Sequence, residues 1–221
     1  MSVVAAVVVP AAPALLPGIG GAADPLADLR SRARRLVAET MGASKGDPRL
    51  VVLGAGEATR TWPVDAPSGA ARFTTGRVPS GALPTALEVG RGFAPSGGGE
   101  PELRSVAARA SPGECAALGR ELGAGDDTVL LVVADGPATL TEKAPGHLRP
   151  EAAPFAEGLG RALAAADSAA LAALDPATCD RLWMRGRPAL QVLAAAGDGL
   201  RGEVLADEAP FGVQYLLARW G

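Results

Sequence analysis

Short apolar runs punctuate this chain and set its architecture. Val3–Val9 and Thr128–Ala134 are uninterrupted stretches of Val, Leu and Ala, apart from the leading Thr128, and Arg49–Leu53 (RLVVL) is nearly so. Runs of this length, rich in β-branched residues, predict strands covered on both faces, as in a parallel sheet. Helical spacing separates them. Asp24–Thr40 repeats Leu26, Leu29, Ala33, Leu36 and Val37 with arginines between, and Asp24-Pro25 predicts its start, an N-cap followed by proline. Leu83–Val89 fits a short helix. Ser111-Pro-Gly-Glu114 is a capping box opening a helix that runs to about Leu122. Pro150–Ala166, Ser168–Leu174, Pro176–Met184 and Pro188–Ala195 read as further helices, and Gly202–Ala206 and Gly212–Ala218 as two antiparallel closing strands.

Between these elements, residues 10–21 form a proline-rich loop, residues 63–80 an irregular excursion and Gly92–Pro101 a flexible loop. Buried strands alternating with helices predict one α/β domain over residues 1–221. Its sheet is central and mostly parallel, with helices on both faces and antiparallel closing strands. Ligands of open sheets sit at the carboxyl ends of the strands. Segments 10–21, 54–62 and 135–147 are therefore expected to wall the pocket.

Composition narrows the function classes. The 221 residues carry 21 Lys+Arg against 24 Asp+Glu, a formal charge of −3. That balance gives no basic face for nucleic acid. No stretch reaches the roughly 18 uninterrupted apolar residues of a membrane span, and a cytoplasmic location is the expectation. The opening MSVVAAVVVP resembles a signal peptide only superficially, because it lacks a basic n-region and Pro10, Pro13 and Pro17 interrupt it. Cys115 and Cys179 read as buried free thiols.

The chemistry is limited by one histidine, His147. Two-His–one-carboxylate, His₃ and HExxH sites cannot be built from it alone. Gly54-Ala55-Gly56 follows a strand as a partial glycine loop, but Arg60-Thr61 stand where a dinucleotide fingerprint ends in glycine. The most polar compact segment runs from Asp135 to His147 and gathers Asp135, Glu142, Lys143 and His147. Two readings stand. These four are acid/base groups on a pocket wall, or they belong to a solvated loop that caps the next helix. Glu57 and Arg60 divide in the same way. Trp62, Trp183, Tyr215 and Trp220 read as core or interface.

Several landmarks together carry a family resemblance: the strand entering Pro10-Ala-Ala-Pro-Ala-Leu-Leu-Pro17-Gly-Ile19, the strand ending Leu53-Gly-Ala-Gly56, the strand ending Val132-Val-Ala-Asp135-Gly136, and the closing Asp207–Tyr215. In that order they resemble the class III extradiol ring-cleavage dioxygenase (LigB-like) superfamily, which includes the MEMO-like proteins. The Ala/Arg-rich style suits an actinobacterial-type branch. The resemblance implies a LigB-like fold, a pocket for a small aromatic-type molecule or a docking partner chain, and a homodimer with Trp220 and the closing strands as contact surfaces. It also implies a pocket lining of Pro10, Ala11, Pro13, Gly54, Gly56, Glu57, Arg60 and Gly136. Family members cleave catechol-like rings with iron held by two histidines and a carboxylate. Ala11 and Gly56 stand where the two histidines are expected, and neither Ala138 nor Thr139 supplies the acid/base histidine. The expected cofactor set is therefore empty of metal, with Fe(II) absent. Three functions follow: a metal-free binding or partner subunit, an enzyme of changed chemistry using Asp135, Glu142, Lys143 and His147, or a dioxygenase that is still active.

Overall fold

The structure, a computed structural model, describes residues 3–19, 21–96 and 99–221. Its strands are β1 (Val3–Val9), β2 (Arg49–Gly56), β3 (Arg60–Trp62), β4 (Glu102–Ala107), β5 (Thr128–Val133), β6 (Gly202–Glu208) and β7 (Tyr215–Trp220). All join one sheet in the order β3-β4-β2-β5-β1-β7-β6. The four strands β4, β2, β5 and β1 run parallel; β3 pairs antiparallel with β4 at one edge, and at the other β7 pairs antiparallel with both β1 and β6. The helices are α1 (Ala27–Ala43), α2 (Thr85–Arg91), α3 (Pro112–Gly123), α4 (Ala152–Ala164), α5 (Ser168–Ala172), α6 (Pro176–Arg181) and α7 (Arg187–Ala196). The expected single α/β domain is what forms.

Alternation along each strand sorts the core into two layers. Val7 and Val9 of β1 with Leu131 and Val133 of β5 face α1 and α2, whereas Val8, Leu130 and Val132 face α3 to α7. Both faces of the central strands are thus dry, which is why their sequences are continuously apolar rather than alternating. Each fully buried Val or Leu contributes roughly 1.5–3 kcal/mol. Cys115 and Cys179 are buried free thiols in the second layer, as expected.

Several expectations need correction. Asp24 is not the N-cap of α1: it takes a left-handed φ of 34°, and its carboxylate grips Arg30 at 2.7 Å. The helix starts after Leu26 instead. Gly54-Ala55-Gly56 is not a loop but the end of β2, paired with β4. β4 itself and the short β3 lie where no strand was expected. In β4 the polar Glu102 and Arg104 alternate with buried Leu103 and Ser105, and Arg104 bridges Glu102 and Glu121. Polar residues thus occupy one side of a near-edge strand and hide its signal. Trp220 offers no contact surface, because it is fully buried and its indole donates to the Leu163 carbonyl at 2.8 Å. The 63–80 excursion packs beside α2, tied by Arg91 to the Val64 and Ala66 carbonyls.

Candidate functional site

The chain leaves β1 toward the face of α1 and α2 and leaves β4 and β5 toward the face of α3 to α7, whereas β2 turns directly into the edge strand β3. β5 and β1 are neighbours in the sheet, so their connections part at the carboxyl edge between them. Such partings are where open α/β sheets leave a crevice for ligands.

Asp135 stands at the parting of β1 and β5. One residue earlier, the Ala134 N–H donates to the Val9 carbonyl and extends the strand pairing. The Asp135 Oδ1 then accepts the backbone N–H of Ala11 at 2.7 Å, closing the first turn after β1 onto the first turn after β5. The Asp135 side chain keeps a small accessible surface, yet protein encloses it densely enough to push its carboxyl up to about 7; burial raises it, and the Ala11 N–H opposes only in part. Gly186 makes this packing possible, because a Cβ there would sit 2.5 Å from the Asp135 carbonyl oxygen. Tyr215 opens β7 beside it. Burial, and secondarily the Asp135 charge, hold its phenol well above the ordinary value. Phe211 meets Tyr215 edge-on at 6.5 Å and is itself 43% exposed. A titratable carboxyl, a phenol and an exposed phenyl therefore share this end of the sheet.

The remaining sequence candidates are dispersed. Glu142, Lys143 and His147 all lie on the exposed surface of the loop after β5, where the Glu142 carbonyl meets His147 Nδ1 at 2.9 Å. No hydrogen bond or ion pair joins any of the three to Asp135 among the described residues. The loop is nonetheless ordered: Leu140 donates to Gly212, Gly146 to Ala138 and Arg149 to Thr139. Pro10 is buried beneath the crevice, Ala11 and Pro13 are half-buried at its rim, and Gly136 is buried against Gln214. Glu57 and Arg60 are exposed at the other side of the edge, with the Arg60 guanidinium stacked 3.5 Å over Trp62. Gly54 is a close contact with α2, since a Cβ there would lie 2.6 Å from that of Ala86.

The donor set does not fit an iron centre of the family type. Ala11 carries no ligand atom, and a Cβ at Gly56 would already come within 2.9 Å of Ser105, leaving no room for an imidazole. Among the described residues no three His, Cys, Asp or Glu side chains converge as a metal-binding group. A hollow of about 680 Å³ lies at the opposite, amino-terminal edge between Val4, Asp127 and Gly202. It is remote from the strand ends and from Asp135.

No protein-family model matches the sequence, and no curated protein matches it. Among the described residues no helix is long and apolar enough to cross a membrane.

Sequence reading alone set Tyr215 aside as a core or interface aromatic. The available signal was its place at the mouth of a closing strand, a position whose meaning depends on β7 lying next to β1.

Proposed function

We propose that this chain is a LigB-like α/β protein that binds a small aromatic molecule in the crevice between β1 and β5, without iron chemistry, in the cytoplasm. One observation carries the reading: Asp135 is enclosed at the carboxyl end of the central strand with its acidity near neutrality, beside Tyr215 and Phe211. A buried carboxyl with one backbone partner costs stability and contributes nothing to packing, which is the signature of a group kept for a ligand. The aromatic rings supply flat apolar surface, and the carboxyl supplies one donor when protonated and an acceptor when not.

A second reading uses the same group for proton transfer. An acid near 7 exchanges protons efficiently at cellular pH, so Asp135 would act as general acid or base on the bound molecule. Glu142, Lys143 and His147 stand outside that chemistry. The test is calorimetric titration of the iron-free protein with catechol, in the wild type and in Asp135→Asn. Binding that weakens at least tenfold in the variant supports the reading. Equal binding in both, or none in either, overturns it, and turnover of the catechol without metal would select the acid–base version.

A further inference from the structure

A second cavity, about 240 Å³, opens on the other side of the sheet between the end of β4 and the turn joining α6 to α7. Ala108, Arg109, Asp180, Trp183, Met184 and Arg185 line it. Three features of its wall point the same way. Arg109 and Arg185 are exposed, and among the described residues neither guanidinium meets a carboxylate. Behind them Arg187 is only 3% exposed and also lacks an acidic partner among the described residues. It donates to the Gln191 side chain at 2.6 Å and to the Ala110 and Ala108 carbonyls at 2.9 and 3.3 Å. Buried cations are ordinarily paired with an anion. Here the buried cation instead clamps the 108–110 turn that carries Arg109 to the rim. Asp180 is the one acid on that rim, so the two arginines leave it net positive.

The third feature is Trp183. It adopts φ of 54°, a left-handed conformation that is a genuine outlier for so bulky a residue. Nevertheless it is 48% exposed. Its backbone is pinned from both sides, its N–H donating to the Asp180 carbonyl while Met184 donates to Cys179, and its ring lies over Gly146. Strain held in place at a cavity, presenting an indole face to solvent, is characteristic of a ligand clamp.

We propose that this cavity binds a small planar organic anion, a ring of single-benzene size bearing a carboxylate, with the ring against Trp183 and the carboxylate on Arg109 and Arg185. Guanidinium groups match carboxylates in a two-pronged geometry, and an indole offers stacking area that an aliphatic ring cannot use equally. The site lies on the α3–α7 side of the sheet, and Asp135 is not among the residues that line it.

The experiment is an NMR titration of the isotope-labelled protein with benzoate, cyclohexanecarboxylate and inorganic phosphate, read at the three tryptophan indole N–H resonances. Benzoate is expected to move the Trp183 resonance saturably, and the other two anions to bind at least tenfold more weakly. Arg109→Gln and Arg185→Gln each weaken benzoate about tenfold, the loss of one charged contact worth about 1.4 kcal/mol. Trp183→Gly, followed at the backbone amides of Arg109 and Arg185, abolishes binding while keeping the fold, because glycine accepts this φ without strain. Asp135→Asn leaves benzoate binding at Trp183 unchanged, which separates this proposal from the previous one. No shift of the Trp183 resonance up to the solubility limit of benzoate overturns the proposal. So does phosphate or cyclohexanecarboxylate binding as tightly as benzoate, or full benzoate affinity in either arginine variant.

Discussion

Asp135→Asn isolates the energetic consequence of enclosing a carboxyl. Its acidity is displaced from the ordinary 3.8 to about 7. At about 1.4 kcal/mol per pH unit this corresponds to roughly 4 kcal/mol between the two protonation states. The direction is opposite to that of a salt-bridged aspartate. As pH rises from about 4 to about 7, the unfolded chain releases the proton while the native chain still holds it, so native stability falls across that window and is level on either side. Asparagine keeps an oxygen to accept the Ala11 N–H and cannot ionise. The variant should therefore match the wild type near pH 4 and exceed it by up to about 4 kcal/mol near pH 8, about 8–16 °C in Tm for a chain of this size. Urea unfolding followed by far-UV circular dichroism at both pH values measures the difference. A stability gap that is the same at both, or a variant weaker at the higher pH, refutes the reasoning that burial governs Asp135.

Four further outcomes follow from the packing and the donor set. Gly186→Ala should destabilise by about 1–3 kcal/mol through overpacking, because the new methyl meets the Asp135 carbonyl oxygen at 2.5 Å; it should also flatten the pH dependence just described, seen in the same urea series. Ser111→Ala should cost about 1 kcal/mol by removing the hydroxyl that accepts the Glu114 N–H at 3.2 Å and donates to the Glu114 carboxylate at 2.7 Å in the capping box of α3, while the backbone N–H of residue 111 keeps its bond to that carboxylate; thermal melts measure it. Protein incubated anaerobically with ferrous iron and desalted should retain well under one equivalent by elemental analysis. Gly56→His should lower Tm without raising that content, since Ser105 and Pro84 fill the space its side chain needs; stoichiometric iron in either protein contradicts the donor-set argument.

The parts of the fold that the sequence made legible are those decided by local chemistry or by burial on two faces. β1 and β5 announced themselves because nothing polar can sit in a strand sandwiched between helix layers. The capping box at Ser111 was equally plain, being complete within four residues. β4 was not, because Arg104 and Glu102 satisfy each other across a half-covered strand and look like loop residues in a one-dimensional reading. The Gly54–Gly56 segment misled for a tertiary reason: its glycines answer the approach of Ala86 and Ser105, not a turn. Asp24 was diverted by Arg30, a partner six residues away whose bidentate grip outcompetes capping. Around the candidate site, position at a strand end singled out Asp135, which the structure places at the end of β5 with its carboxylate on the Ala11 N–H. Proximity in sequence did not carry its neighbours along, because the loop after β5 folds back on Gly212 and Ala138 and turns Glu142, Lys143 and His147 outward. Trp183 was equally opaque, since its strained backbone is imposed by partners on both sides of the α6–α7 turn.

The sheet order has a consequence for biosynthesis. β1 lies inside the sheet, and its two neighbours are β5, beginning at Thr128, and β7, beginning at Tyr215. A ribosome adding about 5–20 residues each second would leave Val3–Val9 without a strand partner for several seconds, until β5 emerges, and half-paired until β7 follows. Through that interval a fully apolar ribbon with two open edges is available to any neighbouring chain. β2 and β4 can pair in the meantime and supply a template, so the nascent chain should acquire its sheet from the periphery inward, with the oldest strand inserted late. The rate of that insertion, more than the depth of the native energy well, would then determine how much of the newly made protein escapes aggregation.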